Sequence, residues 1–112
     1  MLKVFDDNSV ELTRGDTARL KVTVTNDNDG EEYTVQSGDT LTLSIKKKTK
    51  DSEALVAKTI KGSSIFHIEP KDTSGLPFGS YVYDVELTTA EGDVYTVITP
   101  SNFKITEEVT TR

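Results

Sequence analysis

The sequence predicts an all-β domain, a two-sheet antiparallel sandwich of about eight or nine strands, and three observations predict it. Val, Ile and Thr supply 34 of the 112 residues, and β-branched side chains favour extended backbone. Apolar and polar residues alternate with period two in several separate runs, the pattern of strands with one buried and one wet face. Clusters of Gly, Asn, Asp and Ser punctuate these runs at roughly 8–12-residue intervals, as short strands joined by tight turns require.

Taken in order, strands are expected near 8–13, 17–25, 32–36, 40–48, 54–60, 64–69, 80–89, 93–99 and 102–107. In the second, Ala18, Leu20, Val22 and Val24 point one way and Arg19, Lys21, Thr23 and Thr25 the other. In the fourth, Leu41, Leu43 and Ile45 alternate with Thr42, Ser44 and Lys46. In the seventh, Tyr81, Tyr83, Val85 and Leu87 alternate with Val82, Asp84, Glu86 and Thr88. Turns fall at Asp27-Asn28-Asp29-Gly30, Ser37-Gly38-Asp39, Lys61-Gly62-Ser63 and Glu91-Gly92-Asp93, where glycine or a short polar side chain tolerates positive φ. Between Pro70 and Gly79 there is room for one helical turn at most. Residues 1–107 make the domain, and 108–112 are expected as a fraying C-terminal tail.

Leu, Ile, Val and Phe number 29 of 112 residues, above the roughly 20% below which disorder is the default. The net charge of −6 argues against general nucleic-acid binding. No cysteine is present and His67 is the single histidine, which excludes disulfides, thiol nucleophiles and a His-based metal site within one chain. The longest apolar run is Ala54-Leu55-Val56-Ala57, far short of the roughly 20 residues of a membrane-spanning helix, and the first residues turn acidic too soon for a secretory signal. No cofactor is expected.

Candidate chemistry is sparse. His67 reads as a strand residue on the wet face, without a nucleophile-elbow sequence behind it. The carboxylate pairs Asp6/Asp7, Glu31/Glu32 and Glu107/Glu108 sit in polar turns or near the end, where solvation keeps their acidity ordinary. Asp27 to Glu32 superficially looks like a calcium loop, but aligning Gly30 with the sharp-turn glycine puts Thr25 at the first ligand and Gln36 at the bidentate position, so a hairpin turn is expected. Arg14-Gly15-Asp16 spells an integrin-recognition tripeptide, yet its place before a strand suits a turn. No enzyme is expected.

Charge is unevenly spread. Residues 46–61 hold six lysines against Asp51 and Glu53, a local +4 that leaves −10 on the rest. Lysines can simply guard a hairpin against aggregation, or they can meet an acidic partner, another copy included. Lys46, Lys48 and Lys50, together with an apolar strand edge at Phe103, Lys104 and Ile105, are the candidate partner-binding residues.

The most informative stretch runs from Pro70 to Leu87. Gly79 frees the backbone at a corner, after which Tyr81 and Tyr83 drop inward; a Tyr after such a corner resembles the tyrosine corner of immunoglobulin-like sandwiches, with Tyr83 standing where an immunoglobulin domain has its second cysteine. The same stretch, Asp72-Thr73-Ser74-Gly75-Leu76-Pro77-Phe78-Gly79-Ser80-Tyr81 followed by Tyr83-Asp84-Val85-Glu86-Leu87, resembles the N-terminal domain of phage baseplate upper proteins and related small prophage tail proteins of Gram-positive bacteria. Leu12-Thr13-Arg14-Gly15-Asp16-Thr17, the turn Glu91-Gly92-Asp93 and the closing Phe103 to Thr110 extend the likeness, most closely over 72–110 and more loosely over 9–48. In that family Asp72, Gly75, Leu76, Gly79, Tyr81 and Tyr83 correspond to structural positions.

The resemblance implies an immunoglobulin-like structural component of a phage or prophage tail or baseplate, made in the bacterial host cytoplasm. It would assemble with other tail proteins, with a homo-oligomer expected, and without nucleic acid or membrane insertion. Family members usually continue into a linker and a second domain that holds receptor-binding proteins. The rival reading is a host cell-surface adhesin-like or carbohydrate-binding sandwich, for which Tyr33 and Tyr95 are the aromatics expected outside the core.

Overall fold

The computed structural model describes residues 2–26 and 29–109, among which ten strands and one helical turn form. In chain order they are β1 (Leu2–Val4), β2 (Val10–Thr13), β3 (Ala18–Lys21), β4 (Val24–Thr25), β5 (Glu32–Tyr33), β6 (Thr40–Lys46), β7 (Val56–Lys61), β8 (Ile65–Ile68), α1 (Pro70–Ser74), β9 (Gly79–Thr88) and β10 (Val94–Thr106). The chain is all-β, and among the described residues its only helix is the single turn allowed between Pro70 and Gly79.

Six strands make one sheet in the order β1-β2-β10-β9-β6-β7, while β3 pairs with β8 and β4 with β5. The large sheet is mixed, because β2 runs parallel to β10, with Val10 opposite Phe103 and Thr13 opposite Thr106. This corrects the expectation of antiparallel pairing throughout. Period-two alternation specifies which face a residue takes but not the direction of its neighbour. A parallel pair needs only a long connection, and nearly the whole domain supplies it.

Alternation does set the core. β6 buries Leu41, Leu43 and Ile45, and β9 buries Tyr81, Tyr83, Val85 and Leu87. Ala18 and Leu20 of β3 and Phe66 and Ile68 of β8 join them in one cluster. The Tyr83 and Phe103 rings meet edge to face at 5.7 Å, the favoured arrangement of aromatic quadrupoles.

Boundaries differ from expectation in instructive places. The strands expected at 93–99 and 102–107 are one strand, β10, which stays on β9 by absorbing irregularities between Thr96 and Ile98 and between Ile98 and Ser101. The strand expected at 17–25 breaks into β3 and β4. β1 lies where no strand was expected, since three residues are too few for a periodic signal. The chain turns back from it through Asn8 at φ +69°, and the Asp7 carboxylate accepts bonds from the Ser9 amide and hydroxyl.

Asp39, read only as a turn residue, is buried at 2% exposure. Its carboxylate accepts the Tyr33 hydroxyl at 2.5 Å, the Gln36 amide at 2.9 Å and the Ala90 amide at 3.3 Å. These bonds favour the charged form, so the acid lies below the ordinary aspartate value, the Tyr33 bond counting most. The same bond raises the Tyr33 phenol. Tyr33 is thus half-buried against the core rather than clear of it.

Candidate protein-protein interface

The corner between β8 and β9 is built by local chemistry. Pro70 opens α1 with the φ a first helical residue needs. The Glu69 side chain accepts the Asp72 amide while the Asp72 carboxylate accepts the Glu69 amide at 2.7 Å, a reciprocal cap. Asp72 also meets Lys58 of β7 at 2.8 Å. Gly75 ends the turn, its amide donating to Thr73, and Leu76 packs on the core. Gly79 then starts β9 at φ +142°, which side chains other than hydrogen rarely adopt.

Two stretches that look separate in the sequence meet at this corner. Thr73, fully buried, accepts the Gly15 amide on Oγ1 at 2.8 Å. Arg14 donates to Leu76 O at 3.2 Å and holds Glu108 through Nε at 3.0 Å and Nη2 at 2.6 Å. Its guanidinium lies 4.1 Å from the centroid of the Phe78 ring, a cation–π contact. Tyr81 donates its hydroxyl to Pro77 O at 2.6 Å, the backbone bond expected of a tyrosine after such a corner. Lys47 sits 4.6 Å over the Tyr81 ring and donates to Ser80 O at 3.1 Å. Arg14-Gly15-Asp16 is therefore part of a structural clasp, and Glu108, expected to begin a fraying tail, is fastened by it.

Tyr83, the other inward tyrosine, donates to Asn8 O at 2.5 Å. Burial pushes its phenol up to about 12, with Asp7 adding to the shift.

The candidate partner-binding residues divide. Phe103 and Ile105 are at 0% and 1% exposure, and β10 lies between β2 and β9 along this stretch. The apolar strand edge expected there is therefore interior, a correction that follows from the parallel pairing of β2. Lys104 is exposed. Of the basic hairpin, Lys47 and Lys58 are spent on the corner, and Lys46 is half-buried. Lys48 and Lys50 remain exposed at its tip, where the Lys48 amide donates to Asp51.

His67 is exposed on β8, opposite Arg19. Among the described residues no group of three or more His, Cys, Asp or Glu could hold a metal ion, and no helix is long and apolar enough to cross a membrane. Asp27 and Asn28 of the calcium-like loop lie outside the described residues, as do Thr110 to Arg112 of the expected tail. In the described part of the loop, the Asp29 carboxylate accepts the Glu31 amide at 2.9 Å and Gly30 takes φ +72°.

One surface feature carries no motif at all. A groove of about 940 Å³ runs between residues 20–26 and the first half of β10. Leu20, Val22, Val24, Leu87 and Ile98 form its apolar floor, and Val4, Tyr33 and Tyr95 line it as well. It arises from pairing geometry, because β2 covers only Phe103 to Thr106 of β10. Only the direction of that pair could have revealed it, and alternation is silent about direction.

No protein-family model matches the chain, and no curated protein matches it.

Proposed function

We propose that the chain is an immunoglobulin-like β-sandwich that serves, without catalysis, as an assembly module of a phage or prophage tail tip or baseplate. The strand order β2-β10-β9-β6-β7, with the β3–β8 ladder sharing its core, supports that architecture. The Tyr81 bond to Pro77 supports its tyrosine corner. One observation carries the functional reading: the two motifs of the resemblance, at Arg14-Gly15 and at Asp72 to Tyr81, hold each other. Residues committed to a shared clasp specify a scaffold, and a scaffold acts through its surfaces.

The exposed lysines at the β6–β7 tip supply one contact, for an acidic partner that includes the −10 remainder of a second copy. Exposed ion pairs give about 0–1 kcal/mol each, so symmetric repetition would provide the firmness. Mass spectrometry of tail particles purified after induction of the source bacterium should find the chain at a fixed stoichiometry. Its absence from the particles, with the chain recovered from the cell surface, would overturn this reading in favour of the adhesin-like one.

A further inference from the structure

We propose that the uncovered edge of β10, residues 94–99, pairs with the same edge of a second copy. The two strands would run antiparallel about a twofold axis at Thr96, which would lie opposite its own copy, and join two six-stranded sheets into one.

The edge is free because β2 pairs only with Phe103 to Thr106. Along Val94 to Ile98, β9 is the sole strand partner among the described residues. Backbone donors and acceptors on that side lack a ladder, which makes an open edge a template for another strand. The chain's own N-terminal segment does not cover it. Prolonging the β2 register backwards would set residues 2–9 along 95–102. Val10 and Leu12 point into the core, so the same parity would point Asp6 and Asn8 inward. An unpaired carboxylate over an apolar floor is costly, and the chain turns back at Asn8 instead.

Composition then selects the occupant. Natural edges are guarded by charge, and several other open edges here carry it, with Lys3 on β1, Lys58 and Lys61 on β7, and Arg19 and Lys21 on β3. Val94-Tyr95-Thr96-Val97-Ile98-Thr99 carries no charge and five of its six residues are β-branched. A chain of net charge −6 meets itself most readily through a neutral strip, and an antiparallel strand is complementary to its own copy. Large apolar groups are exposed beside this edge: Val94 at 57%, Tyr95 at 54% and Val4 at 52%. A twofold contact closes at two copies. The irregularity at Thr96–Ile98 adds twist and keeps the paired stretch short.

This contact depends on neither the phage reading nor the lysine tip, and one experiment separates them. Sedimentation equilibrium of the whole chain, up to its highest soluble concentration, is run in low and high salt, with amide exchange measured alongside. The expected result is a monomer–dimer equilibrium that persists in high salt, with slowed exchange at 94–99. Thr96 is exposed, so Thr96→Lys should leave the melting temperature unchanged at dilutions where the chain is monomeric. It sets like charges against each other at the axis and should weaken the dimer roughly tenfold or more. Lys48→Glu with Lys50→Glu should leave it intact. A monomer under all conditions, a dimer that salt dissolves, a dimer indifferent to Thr96→Lys, or open-ended multimers would each overturn the proposal.

Discussion

Replacing Thr73 with Val tests whether the corner clasp depends on one buried hydrogen bond. The side chain is fully buried, and Oγ1 accepts the amide of Gly15, itself buried, at 2.8 Å. Valine keeps the shape but removes the acceptor, so a buried donor loses its partner. Such a loss costs about 1–3 kcal/mol, and for a domain of this size about 4 °C in melting temperature per kcal/mol. Thr73→Ser is the control: it keeps the hydroxyl and loses one buried methyl, about 1 kcal/mol. Calorimetry and urea titration of the three proteins give the comparison. Thr73→Val should be the less stable variant, with an unchanged urea slope. If it equals or exceeds Thr73→Ser in stability, methyl packing rather than the Gly15 bond holds the corner, and the clasp argument fails.

Other expectations follow from the same geometry. The Tyr83 phenol rises from 10.0 to about 12 on folding, so its stabilisation is complete below pH 10 and lost as pH climbs towards 12. Ultraviolet titration should show Tyr83 ionising late, with Tyr33 also above the ordinary phenol, and Tyr83→Phe should flatten the alkaline loss. The depressed Asp39 acid has the opposite sign: its contribution is present above the unfolded aspartate value of about 3.9 and disappears as pH falls through the folded one. Asp39→Asn should therefore reduce the slope of stability against pH in acid melts. A Cβ on Gly38 would lie 2.7 Å from the Ala90 Cβ, so Gly38→Ala should destabilise by about 1–3 kcal/mol in urea titration. If the lysine tip binds acidic surfaces, Lys48→Glu with Lys50→Glu should abolish the salt-sensitive part of any association seen by light scattering.

Much of this was legible in the sequence for a definable reason. Side-chain alternation is a one-dimensional signal, and it located β3, β6 and β9 with their buried faces. Turn chemistry located the corner, and Tyr81 and Tyr83 fall inward at 2% exposure each. Partner identity and direction are not one-dimensional. Phe103 and Ile105 looked like an apolar edge because nothing local announces that Val10 and Leu12 lie beside them. Asp39 looked like a surface turn because nothing local announces that the Ala90 amide, fifty-one positions on, closes over the site that Tyr33 and Gln36 begin. Arg14 looked like a recognition tripeptide or a turn residue, while its partners at Leu76, Phe78 and Glu108 are more than sixty positions away.

The parallel alignment of β2 with β10 also decides how the domain carries load. Tension entering through the front of β2 and leaving through the back of β10 pulls two parallel neighbours in opposite directions along their length. The ladder from Val10–Phe103 to Thr13–Thr106 is then strained in shear, all rungs together, instead of opening one rung at a time like a zip. The Arg14 fork on Glu108, just beyond the last rung, acts as a rivet on the same line of force. Under a pull applied at those two points the strands would have to slide past each other, breaking the whole β2–β10 ladder at once.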